Sequence, residues 1–241
     1  MKNYTLFLWI ALLMLGISGT IGAREVASFN DGWEFKKGPF SKEALQAVQK
    51  WNSDWQEVSI PHTWNADDMQ KQASAFYEGV GYYRKKFTFP ENMEGKRIFL
   101  RFEGVGSYAE VYINGYLAGT HKGAYSAFAC EISSQVKFGK ENEIIVKADN
   151  SSRPDVIPTN HILFGVYGGI YRPVWLVVTE TCSIIANDCA SPGVYITQKN
   201  VSKKSAEVTV KVKGGQCNLS SRPTGTRECN IRQERQIGKE T

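Results

Sequence analysis

The feature that most limits the fold is a two-residue period in hydrophobicity, repeated along the chain and broken by turn residues. Across residues 97–103, Ile98, Leu100 and Phe102 share one face while Arg97, Arg101 and Glu103 take the other, as a strand with one buried face requires. Ala109, Val111 and Ile113 then alternate with Glu110 and Tyr112. Asn114-Gly115 follows, a pair that accepts the positive φ angles of a type I′ turn, so a hairpin is predicted across it. Ile144, Val146 and Ala148 predict a further strand, and residues 174–178, with Trp175, form an apolar run suited to burial on both faces. Only residues 41–50 read as a short helix. Many short strands joined by Gly, Asn and Pro turns predict an all-β, antiparallel jelly-roll sandwich over residues 24–180.

Beyond it, Ser191-Pro192-Gly193 reads as a linker or turn, and residues 194–197 and 206–213 as two more strands, with Val208, Val210 and Val212 set against Glu207, Thr209 and Lys211. Two strands do not make a stable domain. From residue 216 to 241 the alternation stops, and Leu219, Ile231 and Ile237 are the only sizeable aliphatic residues. This stretch predicts either a disordered tail or a stretch translated from a shifted frame.

The chain has 241 residues, enough for one domain and part of another. With 42% hydrophobic and 22% charged residues it has an ordinary globular composition. Its 29 Lys and Arg are interspersed with 24 Asp and Glu, giving a net charge of +5 without a basic stripe, so no nucleic-acid partner is expected. Lys2, an apolar run over 6–17 and a small-residue end at Gly22-Ala23 predict that residues 1–23 are a signal peptide cleaved after Ala23. The run is too short for an ordinary membrane span, and no later segment is a candidate for one. Secretion across an inner membrane, to a periplasm, is therefore expected. Five cysteines follow; a Cys182–Cys189 bridge and isolated buried thiols both remain open. His62, His121 and His161 are far apart, and Asp67-Asp68 alone does not make a calcium site, so no metal or cofactor is predicted.

A series of blocks follows one order: Phe29-Asn30-Asp31-Gly32-Trp33, Ile60-Pro61-His62-Thr63-Trp64-Asn65, Gly81-Tyr82-Tyr83-Arg84, Phe102-Glu103-Gly104-Val105 and Val111-Tyr112-Ile113-Asn114-Gly115. Then come His121-Lys122-Gly123-Ala124-Tyr125, Asp149-Asn150 and Tyr167-Gly168-Gly169-Ile170-Tyr171-Arg172. In this order and spacing, over roughly residues 28–180, the chain resembles the N-terminal sugar-binding domain of glycoside hydrolase family 2, the family of β-galactosidases, β-glucuronidases and β-mannosidases. The resemblance implies a galactose-binding-domain-like jelly roll. It also implies that residues 181–215 begin an immunoglobulin-like sandwich that is incomplete here, with that sandwich and a (β/α)₈ barrel as packing partners. The family's two catalytic glutamates lie on the barrel, and no Asp or Glu of this sequence falls in a matching motif. No catalytic residue is assigned, and the chain alone is expected not to hydrolyse glycosides.

The resemblance further implies that the loop between Asp149-Asn150 and the Tyr167 block reaches toward sugar. Its polar residues Asp155, Asn160 and His161 are the candidate carbohydrate contacts. Many relatives carry an aspartate where this loop has Leu163. Trp33, Trp55 and Trp64 read as core or interface aromatics, His62 as a turn residue, and Gly168 and Gly169 as sites of close backbone approach with Arg172 in an ion pair nearby. Two other functions stay open: a free-standing carbohydrate-binding module, and a scaffold that packs against other domains.

Overall fold

The computed structural model describes residues 24–38, 55–68, 76–157, 165–203, 205–214 and 226–234, the last as backbone only. The predicted signal peptide, the predicted helix at 41–50, Asn160 and His161 lie outside the described residues. The strands are β1 (Arg24–Ser28), β2 (Trp33–Lys37), β3 (Gln56–Val58), β4 (Val80–Thr88), β5 (Arg97–Phe102), β6 (Tyr108–Ile113), β7 (Tyr116–Lys122), β8 (Phe128–Glu131), β9 (Glu141–Asp149), β10 (Val174–Thr179), β11 (Val194–Lys199), β12 (Ser205–Lys213) and β13 (Thr226–Glu234). A 3₁₀ turn occupies Glu91–Met93. Among the described residues no helix is long and apolar enough to cross a membrane.

Two antiparallel sheets, β1-β10-β5-β8 and β3-β2-β4-β9-β6-β7, form the jelly-roll sandwich. The alternation that defines the strands also fills the space between them. Ile98, Leu100 and Phe102 of β5 meet Ala109, Val111 and Ile113 of β6 and Ile144, Val146 and Ala148 of β9 in one core with Trp33 and Tyr83. Each large side chain buried there contributes about 1.5–3 kcal/mol. The predicted hairpin is present: Asn114 (φ 51°) and Gly115 (φ 84°) join β6 to β7.

β10 departs from the expectation of burial on both faces. Val174, Val177 and Val178 are buried, but Trp175 and Leu176 are only partly so. On the outward side, Val177 and Phe99 are covered by Ala186, and this cover does not extend to Trp175.

The strands after residue 193 form a separate open sheet, β11-β12-β13. Thr226–Glu234 is a strand paired along the length of β12. Its sequence is polar, yet the register sets Cys229 against Val210 and Ile231 against Val208, so the few apolar positions match across the ladder. The segment joining this sheet to the sandwich is tied to the end of β12 by a bridge between Ile184 and Gly214 and by the Lys213–Asp188 ion pair (2.8 Å), and to β1 by Arg24 Nη2 donating to Ile184 O (3.1 Å). The Cys182–Cys189 bridge is not formed. Cys182 is disulfide-bonded, whereas Cys189 is an exposed free thiol. Cys130 is a buried free thiol that desolvation pushes up to about 12, an inert core residue.

Candidate functional site

β4 begins where β9 ends, with Val80 opposite Asp149, so the loops before β4, after β9 and before β10 gather at one end of the sandwich. Two asparagines with no solvent exposure, Asn65 and Asn150, hold them there. Asn65 Nδ2 donates to Asp68 Oδ2 (2.7 Å) and Tyr77 O (3.0 Å), while its Oδ1 accepts from Gly168 N (2.8 Å) and Asn150 Nδ2 (3.3 Å). Asn150 Nδ2 also donates to Val166 O (2.7 Å), and its Oδ1 accepts from Gly79 N (2.8 Å). A buried amide left unpaired costs about 1–3 kcal/mol, so these contacts fix four loop segments relative to one another. Asp68, half of the pair that suggested calcium, is committed as an acceptor to Asn65 and to Tyr77 N (3.2 Å).

The glycines beside this hub do what the sequence predicts. A Cβ on Gly168 would fall on the Trp64 ring. Gly169 has φ 114°, and a side chain there would meet the Tyr83 hydroxyl and the His62 carbonyl. His62 is more than a turn residue: its Nδ1 lies 2.7 Å from the Tyr83 hydroxyl, and its ring packs 4.8 Å from Phe35. Burial lowers the His62 pKa and raises that of Tyr83, so both stay neutral at neutral pH and serve packing. Arg172 lies over the Tyr171 ring at 5.8 Å, and no ion pair to it is present among the described residues.

Outside the hub the loop is held by charge. Asp149 Oδ1 caps Ser151 N (2.9 Å), and Arg153 pairs with Asp149 (3.3 Å) while its guanidinium covers the Tyr108 ring at 4.5 Å. Asp155, the one candidate sugar contact within the described residues, is exposed and paired with Lys122 at 2.5 Å. The Lys122 ammonium holds its carboxyl below the usual range. Tyr125, Ile157 and Tyr167 stand exposed at this same end, with Phe76 edge-on to Tyr167 at 6.1 Å. Rigid backbone beneath, and exposed rings and ion pairs above, give this end what is needed to contact a polar ligand with an apolar face.

Most of the described acids whose titration is shifted are held in the charged form by their neighbours. Hydrogen bonds from Arg97 hold Glu131 low, and Lys213 does the same for Asp188. Glu110 is held low against its own burial by Tyr112 and Lys147. Glu143 alone is pushed up, by burial, and Arg84 and Lys86 oppose that shift.

Sequence comparison is decisive for the family. Residues 26–180 match the family described as glycosyl hydrolases family 2, sugar binding domain. The chain belongs to glycosyl hydrolase family 2. It is similar to a β-glucuronidase of Bacteroides fragilis, 37% identical over 231 residues, which is 95% of this chain and 30% of that protein. A β-galactosidase of Thermoanaerobacter pseudethanolicus is 33% identical over 192 residues, 78% of this chain and 24% of that protein. Among solved structures, a candidate β-galactosidase from Bacteroides fragilis superposes with a TM-score of 0.76 at 60% identity, covering 88% of this chain and 34% of that one. The chain thus spans about a third or less of the family 2 relatives it matches.

Proposed function

We propose that this chain supplies the sugar-binding domain of an exported family 2 β-glycosidase of the β-glucuronidase or β-galactosidase type, and that its jelly roll contacts carbohydrate without hydrolysing it. The observation that carries the reading is the family match over residues 26–180, on a fold whose loop end is fixed from below by Asn65 and Asn150. A retaining glycosidase needs one carboxyl held protonated and a second carboxylate about 5–5.5 Å away. Glu110, Glu131 and Asp155 are held in the charged form by cationic or hydroxyl partners, which does not suit the protonated role. The leader-like residues 1–23 and the disulfide at Cys182 both fit an oxidising compartment, consistent with export to a periplasm. Carbohydrate is the proposed ligand, and the further domains that the relatives carry are the proposed packing partners.

The test is to assay the purified chain on chromogenic β-glucuronide, β-galactoside and β-mannoside substrates beside an active full-length relative, and to titrate it with the corresponding methyl glycosides. The proposal expects no turnover and saturable binding. Turnover would overturn the non-catalytic part, and the absence of binding to every glycoside would overturn the sugar-contact part.

A further inference from the structure

The outward face of the four-stranded sheet carries an aromatic residue unlike the others. Trp33 meets Phe29 and Tyr83 edge-on, Trp64 stacks on Phe35, and Trp55 lies under the Arg84 guanidinium at 4.5 Å. Among the described residues no ring and no cation covers the face of Trp175, which is partly exposed. Register places it in a row that runs Ser28, Trp175, Arg101, Ala129 across β1, β10, β5 and β8. Arg101 alternates with the core residues Leu100 and Phe102, so this row points away from the core. The row ends in the small side chains of Ser28 and Ala129, and the indole between Ser28 and Arg101 is partly exposed.

The polar groups around the ring are fixed as well. Trp175 Nε1 donates to Glu103 Oε1 at 2.9 Å, which sets the plane of the indole, and Arg101 Nη1 approaches the same oxygen at 3.6 Å. Both charged side chains are about a third exposed, 38% for Arg101 and 33% for Glu103. Glu103 Oε2 and the remaining guanidinium N–H groups are left to accept and donate outward.

We propose that Trp175, Glu103 and Arg101 form a binding platform for a neutral pyranose unit, separate from the loop end of the sandwich. A pyranose has an apolar C–H face, which the indole would cover, and vicinal hydroxyls at its rim. One hydroxyl donates to the Glu103 carboxylate while its neighbour accepts from Arg101. Hydrogen bonds to charged groups are stronger than neutral ones, and they carry orientation where stacking does not. A uronate would bring its own negative charge against Glu103, so the platform favours the uncharged sugar. This inference stands on its own geometry and does not depend on the loop-end reading.

The experiment is a titration of the whole chain with methyl β-galactoside, methyl β-glucoside and glucuronate, followed by indole N–H resonances in ¹H–¹⁵N spectra. The Trp175 signal is identified by its loss in Trp175→Phe. It is expected to move saturably with a neutral glycoside and less with glucuronate. Trp175→Ala is expected to weaken binding at the platform about tenfold. Glu103→Gln, which keeps an acceptor for the indole and leaves the strand intact, and Arg101→Met are expected to weaken it by smaller factors. Asp155→Asn is expected to change nothing there. A Trp175 signal that stays still with every neutral glycoside overturns the platform, as does unchanged affinity in Glu103→Gln and Arg101→Met together. Shifts confined to Tyr125, Tyr167 and their neighbours also overturn it while leaving the loop-end function in place.

Discussion

The sandwich and the sheet that follows it are built from the same alternating strands, but they differ in what covers the apolar face. In the sandwich, Ile98, Leu100, Phe102, Val111, Ile113, Ile144 and Val146 have no exposure, because each sheet is the cover of the other. In the β11-β12-β13 sheet, Val194, Ile196, Val208, Val210 and Val212 fall on one face by register, and Ile196 remains 63% exposed. Both are held by antiparallel ladders. The difference lies in burial, and burial rather than pairing supplies most of the stabilisation of a sheet.

The comparison is broken most sharply by removing one large side chain from each region. Phe102→Ala, in the core and stacked on Phe128 at 4.8 Å, is expected to cost about 3–5 kcal/mol of unfolding free energy. Val210→Ala, on the open face, is expected to cost about 1 kcal/mol or less. Urea titration of both variants checks the ratio, and equal costs would mean that the open sheet is as well packed as the sandwich. Next in size is the hub at the loop end: Asn150→Ala leaves the Gly79 amide and the Val166 carbonyl without their partner and is expected to cost about 2–3 kcal/mol. The same titration measures it, and a loss near zero would show that the loops are not held through Asn150.

A smaller effect comes from pH. The bidentate Arg97–Glu131 pair (2.9 and 2.7 Å) lowers the Glu131 pKa from its ordinary 4.5, so its contribution is present above that value and is lost as pH falls through the folded-state value. The urea midpoint is expected to drop more between about pH 6 and pH 3 in the parent than in Glu131→Gln. Parallel curves would show that the pair does not stabilise the fold. Smallest of all, Asp155→Asn removes one half of an exposed ion pair with Lys122 and is expected to leave the midpoint unchanged.

The strands and the β6–β7 turn are legible because their signals are local. Alternation marks β5, β6, β9 and β12, and Asn114-Gly115 marks the turn within a span of two residues. The hub is not legible in that way. Asn65 and Asn150 stand 85 positions apart and meet only once β4 and β9 have paired, so each reads locally as an ordinary loop residue. A short amide directly after the buried Trp64, and another directly after the last residue of β9, were the available signals. The partial exposure of Trp175 was hidden for a related reason: an apolar run does not reveal which of its residues is less covered, and Ala186 packs on Val177 and Phe99. The strand at Thr226–Glu234 was hidden by its composition, since its pairing relies on backbone ladder bonds and two apolar positions. Of the candidate sugar contacts, Asp155 lies in an exposed loop, but its partner Lys122 on β7 is 33 residues away and carries no local sign.

Amide hydrogen exchange on the whole chain tests most directly whether the sandwich is complete in itself while the following sheet is open. The core strands β4, β5, β6 and β9 are expected to exchange only through global unfolding, and β11 and β12 to exchange orders of magnitude faster through local opening. Uniform protection across both regions would contradict the account, because it would mean that the valine face of the second sheet is covered as well as the core of the first.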